Sequence, residues 1–223
     1  MTTYVLVHGA WHGPWAWERV IPYLHQDGAR TLTPALTLEG DAGLDAHVQE
    51  ILAALDAGPA AGEDVVLVGH SYAGLVVRQA ADLRPELVKH VVLVDGWAGG
   101  DGVSLFDLAP GAFVDAIRAF ADGDHVPAPP PASFGITDPD DARLLASRLR
   151  PQPLRTFTEA TRLSGAVDRI PGTAVCCRPR TYPFDTFATE LGYRVIALDG
   201  PHDVMLTHPQ ALARLLLDAV SVQ

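Results

Sequence analysis

The stretch Val65-Val66-Leu67-Val68-Gly69-His70-Ser71-Tyr72-Ala73-Gly74 decides the fold of this chain. Its four leading apolar residues predict a strand buried on both faces, as in a parallel sheet. Residues 74–81 continue at helical spacing, so the chain must turn sharply between the strand and the helix. The pattern G-x-S-x-G occurs at this turn, with Ala73 in place of its second glycine. Small neighbours suit a cramped corner that lifts a hydroxyl clear of the sheet, at the positive end of a helix dipole. Ser71 is therefore the predicted nucleophile.

Length and composition predict a large core and exclude several classes of partner. The chain has 223 residues, of which 48% are hydrophobic and 19% charged, and this fits one globular domain. A formal net charge of −11 argues against nucleic acid, which needs clustered Lys and Arg, and against anionic membranes. No apolar run approaches the ~20 residues of a membrane span. Because no basic leader precedes the first strand, the cytoplasm is the expected location.

Further apolar runs predict the rest of an α/β fold. With residues 65–68 they make six strands, the others lying at 4–8, 30–33, 90–95, 173–177 and 193–198. Helical patterns separate the strands, and such alternation calls for a mostly parallel sheet with right-handed crossovers and helices on both faces. One helix is expected to be kinked or restarted by Pro22, another to stop at Gly58, and the last to open at Pro209.

Residues 99–165 interrupt this alternation. The segment has helical patterns over 105–120 and 138–148 and a proline-rich stretch between them. Long insertions of this kind act as lids or binding loops more often than as linkers. We expect a helical cap over Ser71, which divides the core into the segments 1–98 and 166–223.

A serine hydroxyl is a poor nucleophile until a neighbouring base takes its proton. His202 suits this role because it follows the last predicted strand, in a turn rich in glycine and proline. A tetrahedral intermediate also needs two preorganised N–H donors. The backbone amides of Ala10, in the glycine-rich loop after the first strand, and of Tyr72 are the predicted pair.

The motifs at residues 8–13, 69–74 and 201–206 together resemble the α/β-hydrolase superfamily. More narrowly, they are similar to the small branch that holds plant methyl-ester esterases, hydroxynitrile lyases and bacterial esterases, and the likeness extends over nearly the whole chain. Hydroxynitrile lyases depend on a threonine where Gly9 stands and on a lysine after the catalytic histidine. This chain has Asp203 at the second position, so cyanohydrin cleavage is not expected.

The sequence departs from that branch at the third catalytic residue. The branch places its acid shortly after the strand at 173–177, but here the expected position holds Pro179 or Arg180. A guanidinium cannot orient an imidazole or stabilise its cation. Asp95, after the fourth strand, resembles the arrangement of haloalkane dehalogenases and is the preferred acid. Asp185, or a serine–histidine pair without an acid, stays open.

The resemblance implies hydrolysis of an ester, lactone or thioester of a small apolar acid. Trp11, Trp97 and Phe134 are expected to line an apolar pocket, and His125 is a further candidate for substrate contact. The missing acid after the fifth strand leaves open a lyase or a ring-forming enzyme. A ligand receptor without turnover is a third possibility.

No cofactor or metal is expected. The glycines near Gly9 do not form G-x-G-x-x-G, and the adjacent Cys176 and Cys177 lack the spacing of a chelating pair. The expected partner is a small-molecule substrate, with no nucleic acid and no membrane, and a homodimer is left open.

Overall fold

A six-stranded parallel sheet forms the centre of the protein. The computed structural model describes residues 1–59 and 62–221. The strands are β1 (Thr2–Val7), β2 (Arg30–Leu32), β3 (Asp64–His70), β4 (Val88–Val94), β7 (Gly172–Arg178) and β8 (Arg194–Asp199). Their order is β2-β1-β3-β4-β7-β8, and all five pairings are parallel. The predicted α/β fold class with six strands is confirmed.

The order of the strands explains where a site can form. Strands β3 and β4 lie in the middle of the sheet, and residues 65–70 of β3 are all buried. The carboxyl ends of parallel strands meet at one edge, which is where open α/β sheets bind their ligands. The loops after β1, β3, β4 and β8 therefore open on the same side of the sheet.

Helices surround the sheet. They are α1 (Ile21–Gln26), α2 (Leu44–Ala57), α3 (Ala73–Leu83), α8 (Phe184–Glu190), α9 (Val204–Thr207) and α10 (Pro209–Ser221). Helix α2 buries leucine, valine and isoleucine side chains at steps of three and four and packs against α3, while α1 packs against α10. The restart predicted at Pro22 occurs, because a 3-10 helix over Pro14–Trp17 precedes α1.

The segment 99–165 contains α4 (Leu105–Leu108), α5 (Gly111–Phe120), α6 (Pro139–Arg148) and α7 (Arg155–Thr158), with 3-10 turns elsewhere. Its two short strands, β5 (His125–Val126) and β6 (Gln152–Pro153), pair antiparallel. The helical pattern at 105–120 forms two helices because Pro110, which lacks an N–H, separates them.

Hydrogen bonds hold this segment to the core. The N–H of Arg150 donates to the carbonyl of Trp11 (2.9 Å), and the Asp82 carboxylate of α3 accepts from the N–H of Ser164 (2.7 Å). The division of the chain into a cap and two core segments stays a prediction. The last two residues of the segment 166–223 lie outside the described residues.

Candidate active site

The turn between β3 and α3 presents Ser71 at the carboxyl edge of the sheet. Ser71 lies between the end of β3 and the start of α3 with a φ of 52°. Its N–H donates to the carbonyl of Val94 on β4 (3.1 Å), which ties the turn to the neighbouring strand. Trp11, in the loop after β1, and Asp95, directly after β4, also have positive φ values, 64° and 45°. Such backbone strain persists where the surrounding structure enforces it, and it concentrates at functional sites.

Two glycines make this turn possible. A Cβ atom on Gly69 would lie 2.6 Å from the carbonyl oxygen of Ala73, and one on Gly74 would overlap the carbonyl oxygen of Trp97. Neither oxygen can give way without moving the backbone that carries it. The small residues around Ser71 are therefore required by close approach of the backbone.

His202 lies on the loop after β8, and its ring is bound to Asp95. Its Nδ1 atom is 2.7 Å from Oδ2 of Asp95, whose Oδ1 accepts from the N–H of Cys177 at 2.8 Å. The Phe184 ring stacks on the imidazole with centroids 5.8 Å apart. Because a carboxylate only accepts, Nδ1 carries a proton and Nε2 is the basic nitrogen of the neutral ring. Among the described residues, that Nε2 has no hydrogen-bond partner.

Asp185, the alternative acid, lies elsewhere. Its carboxylate is 2.8 Å from the guanidinium of Arg180, which also donates to the hydroxyl of Thr186. Both side chains of this ion pair are partly exposed at the surface. The carboxylate that bonds to His202 therefore comes from the end of β4 and not from the segment after β7.

The predicted N–H donors lie on the two loops beside Ser71. Ala10, Tyr72, Ser71 and His202 all line one cavity. In residues 1–59 and 62–221, the backbone N–H groups of Ala10 and Tyr72 donate no hydrogen bond, so both are available to a ligand. The Tyr72 hydroxyl donates to Nδ1 of His47 (2.9 Å), whose Nε2–H donates to a carbonyl, and this anchors the Tyr72 side chain.

His8 is hydrogen-bonded to the peptide group between Gly9 and Ala10, which contains the Ala10 N–H. Its Nδ1–H donates to the carbonyl of Gly9 (2.9 Å), and its Nε2 accepts from the N–H of Leu36 (3.1 Å). Burial lowers the pKa of His8 to about 3, so the ring is neutral near pH 7. Since the Gly9 carbonyl and the Ala10 N–H belong to one peptide group, His8 sets the direction of that donor.

His70, in the turn itself, links two loops. Its Nε2–H donates to the carbonyl of His202 at 3.1 Å. Burial and the neighbouring His202 hold the pKa of His70 well below its usual value, so this ring is also neutral. These contacts give His70 a structural role, tying the turn after β3 to the loop that carries His202.

The cavity in front of Ser71 has a volume of about 470 Å³. Trp11, Trp97 and Phe134 line it, and the Trp11 indole is fixed by a hydrogen bond to the carbonyl of Val126 (3.0 Å). Much of the remaining wall comes from the segment 99–165, through Leu105, Phe113, Ile117, Phe120, Val126 and Phe157. The described lining residues include no Asp, Glu, Lys or Arg, so the space suits an uncharged ligand.

His125 is not among the described residues that line this cavity. It precedes Val126 in β5, and successive side chains of a strand point to opposite sides. Val126 faces the cavity, and this placement directs His125 away from it.

Comparison with known proteins identifies the family. A family model described as the alpha/beta hydrolase family matches residues 4–215. A carbendazim hydrolyzing esterase of Nocardioides sp. (strain SG-4G) is 32% identical over 247 aligned positions, covering 97% of this chain and 98% of that protein. Methyl jasmonate esterase 1 of Vitis vinifera is 31% identical over 174 positions, covering 72% and 64%. The solved structure of an extracellular alpha/beta-hydrolase from a Paenibacillus species matches with a TM-score of 0.88 at 22% identity, covering 98% and 99%.

The chain therefore belongs to the α/β hydrolase family. Its relatives include bacterial and plant esterases, so the branch predicted from the three motifs is confirmed, and so is the prediction of a hydrolase-type enzyme. No helix in the described part of the chain is long and apolar enough to cross a bilayer. Within the same residues, no cluster of three or more His, Cys, Asp or Glu could hold a metal ion.

Two contacts at the carboxyl edge of the sheet were not predicted from the sequence. His47 looks like an ordinary helical histidine in the sequence, yet it anchors Tyr72. His12 bonds to Asp203 across 191 positions of the chain. The only sequence signal for either contact is a polar residue at a position of an otherwise apolar helix or loop, and this signal does not name the partner.

Proposed function

We propose that this protein hydrolyses esters, lactones or thioesters of small, uncharged apolar acids, with Ser71 as the nucleophile. The observation that carries the proposal is the 2.7 Å bond between His202 and Asp95 in the wall of the cavity that Ser71 also lines. It leaves one basic ring nitrogen available to a serine hydroxyl. This arrangement is the constellation of a serine hydrolase, recognised by roles and geometry.

In the first half of the reaction, Nε2 of His202 takes the proton of the Ser71 hydroxyl while Oγ attacks the substrate carbonyl carbon. The carbonyl π electrons move to oxygen, and the N–H groups of Ala10 and Tyr72 stabilise the resulting oxyanion. A donor of this kind typically contributes ~3–4 kcal/mol. The intermediate then collapses, and the leaving alcohol or thiol takes the proton from His202, which leaves an acyl ester on Ser71.

In the second half, water replaces the alcohol. His202 takes a proton from the water as the water oxygen attacks the acyl carbon. The tetrahedral intermediate then collapses, the bond to Oγ breaks, and His202 returns the proton to Oγ, which releases the acid and restores the Ser71 hydroxyl. Throughout, Asp95 accepts the Nδ1–H, which holds the ring in the required tautomer and stabilises its cation.

The walls of the cavity support a substrate without charge. They are largely aromatic and aliphatic, and the His12 ring, which also lines the cavity, is already paired with Asp203. A charged acyl group would therefore lose its hydration there without a free ion partner. The relatives named for hydrolysis of carbendazim and methyl jasmonate support esters of compact acids as the class to assay first.

Neither alternative function has a feature of its own in the described residues. The lyase hypothesis depended on a missing acid, and the Asp95 carboxylate bonds to the histidine from β4. The receptor hypothesis assumes a site without an activated hydroxyl, whereas His202 keeps a basic nitrogen at the cavity.

The experiment is a series of p-nitrophenyl esters from acetate to octanoate, assayed with the native protein and Ser71→Ala. We expect turnover that falls by at least about 10⁴-fold in Ser71→Ala, because loss of the nucleophile leaves only binding and oxyanion stabilisation. Ser147→Ala, at an exposed position of α6, is the matched control and keeps full activity. Turnover that survives in Ser71→Ala, or its absence with every ester, overturns the proposal.

A further inference from the structure

A second histidine–aspartate pair lies beneath the same loops. Nε2 of His12 is 2.9 Å from Oδ2 of Asp203, and Nδ1 of His12 is 2.7 Å from the carbonyl oxygen of Ala10. The two side chains are 1% and 0% exposed. The serine hydrolysis proposed above uses neither of them.

The partners of His12 determine where its protons are. A carbonyl and a carboxylate both accept, so both ring nitrogens donate and the ring is an imidazolium opposite a carboxylate. Burial lowers the pKa of His12, but the charge and hydrogen bond of Asp203, with the bond to Ala10, outweigh it and leave the pKa raised. A second histidine, His70, has its Nε2 atom 3.9 Å from Oδ1 of Asp203 and stays neutral.

This pair connects the loop that carries the proposed base with the loop that carries a proposed oxyanion donor. Asp203 directly follows His202, and Ala10 supplies one predicted oxyanion donor. The peptide after Ala10 is held at both ends, by His12 at its carbonyl and by the side chain of Gln152 at the N–H of Trp11 (2.8 Å). His8 holds the peptide before Ala10 through the Gly9 carbonyl, as described above.

We propose that His12 and Asp203 are positioning residues that hold the Ala10 N–H in register with His202 and Ser71, so that the oxyanion forms against a prealigned donor. The inference rests on the proposed function. A displacement of about 1 Å in a catalytic group can cost about 10²-fold in rate. The pair therefore acts on the transition state, through Ala10, and not on substrate binding.

The test compares Asp203→Ala with Asp203→Asn on p-nitrophenyl butyrate. Asp203→Ala removes the contact, so kcat is expected to fall about thirtyfold or more while KM changes less than threefold. An asparagine amide can donate to Nε2 of a neutral His12, so Asp203→Asn is expected to recover at least tenfold of that loss. The affinity for a boronic acid, whose tetrahedral adduct occupies the oxyanion position, should fall in proportion to kcat/KM in Asp203→Ala.

His90→Ala is the matched control for loss of a buried histidine. His90 bonds to the hydroxyl of Thr173 within the sheet, away from the cavity, so the variant is expected to melt at a lower temperature with kcat unchanged. If Asp203→Ala does not fold, His12→Gln carries the test. Glutamine is uncharged and has both N–H donors on one nitrogen, so it cannot reproduce the two ring donors aimed at Ala10 and Asp203, and kcat should fall at least tenfold.

Three results overturn the inference. One is a folded Asp203→Ala that keeps kcat within threefold of the native protein, and another is a loss of activity entirely in KM. The third is native turnover that does not depend on Ser71, which removes the proposed function as well. Native Ser71-dependent turnover beside an unaffected Asp203→Ala rejects only the positioning role.

Discussion

The protein has two buried histidine–aspartate pairs, and the loop after β8 supplies one member of each, His202 and Asp203. The two histidines differ in how many of their ring nitrogens are already hydrogen-bonded. His202 binds Asp95 through Nδ1 alone, whereas His12 binds through both ring nitrogens, to Ala10 and to Asp203. A ring with a free nitrogen at the cavity can take a proton from a hydroxyl, and a ring with both nitrogens engaged cannot. The His202–Asp95 pair is therefore suited to proton transfer, and the His12–Asp203 pair to positioning the loops around it.

The two pairs also differ in solvent exposure and in backbone strain. Both histidines line the cavity, but His202 is 9% exposed and His12 only 2%, and Asp95, the partner of His202, has a strained φ of 45°. Asp203 is fully buried, and its Oδ1 has no hydrogen-bond partner in the described part of the chain. Access and backbone strain thus coincide with the pair to which we assign proton transfer.

The largest expected effect comes from Asp95→Asn. An asparagine can favour the wrong tautomer of His202 and cannot stabilise its cation, so kcat should fall about 10³–10⁴-fold with a small change in KM. Steady-state kinetics with p-nitrophenyl butyrate measure this. A decrease below tenfold would mean that Asp95 is a structural carboxylate and that the two pairs do not differ as proposed.

The second prediction concerns the stability that the His12–Asp203 pair contributes. Removing one member of a buried ion pair typically costs about 3–5 kcal/mol, so His12→Gln should lower the free energy of unfolding by that order at pH 6. A raised folded-state pKa means that this contribution is fully present below about pH 6.5 and is lost as pH rises through the folded-state pKa. Urea unfolding of both proteins between pH 6 and 9 should show the difference shrinking. A difference that grows with pH contradicts the imidazolium assignment.

Both pairs illustrate what the sequence can and cannot predict. Strands β1, β3, β4 and β7 are predictable because each is a run of mainly apolar residues that is mostly buried, whereas the edge strands β2 and β8 are partly exposed. Ser71 and His202 each lie in a local pattern at a strand end. Helices α8 and α9 were not predicted, since seven and four residues give fewer than two turns of periodicity. The helical pattern over 105–120 does form helix, divided into α4 and α5 at Pro110.

Contacts between distant loops have no local signal. The preference for Asp95 over Asp185 came from a resemblance, and the bond of Asp95 to His202 becomes visible only when β4 and β8 share one sheet edge. The His12–Asp203 contact is equally invisible, because neither residue lies in a pattern that requires the other. His125, a candidate for substrate contact, lies outside the described lining of the cavity, because the residue after it in β5 faces that cavity.

The third prediction separates His12 from its neighbour His8, a buried histidine without a carboxylate. Its pKa of about 3 in the folded state means that stability is fully present above pH 6.5 and is lost as pH falls toward 3. Between pH 7 and 4.5, native protein should therefore lose about 3 kcal/mol more unfolding free energy than His8→Gln. Urea titrations at the two pH values measure this, with His25→Gln, at an exposed position, as a control that follows the native protein. Equal losses in the native protein and His8→Gln contradict a neutral His8.

The smallest effect is expected from Asp185→Asn. This carboxylate pairs with Arg180 at the surface, where such pairs contribute about 0–1 kcal/mol, so kcat should stay within twofold and the melting temperature should change little. The kcat of Asp185→Asn is measured in the same assay as that of Asp95→Asn. A larger loss of kcat in Asp185→Asn than in Asp95→Asn would assign the acid to the segment after β7.

The central claim is that Ser71 is activated by His202 and Asp95, and covalent labelling tests it most directly. A fluorophosphonate would be added to the native protein, Ser71→Ala and Asp95→Asn, and the adducts followed by intact mass and peptide mapping. The account predicts one adduct on Ser71 in the native protein, slower labelling in Asp95→Asn and none in Ser71→Ala. An unlabelled native protein, or a Ser71→Ala protein labelled at the native rate, would contradict it.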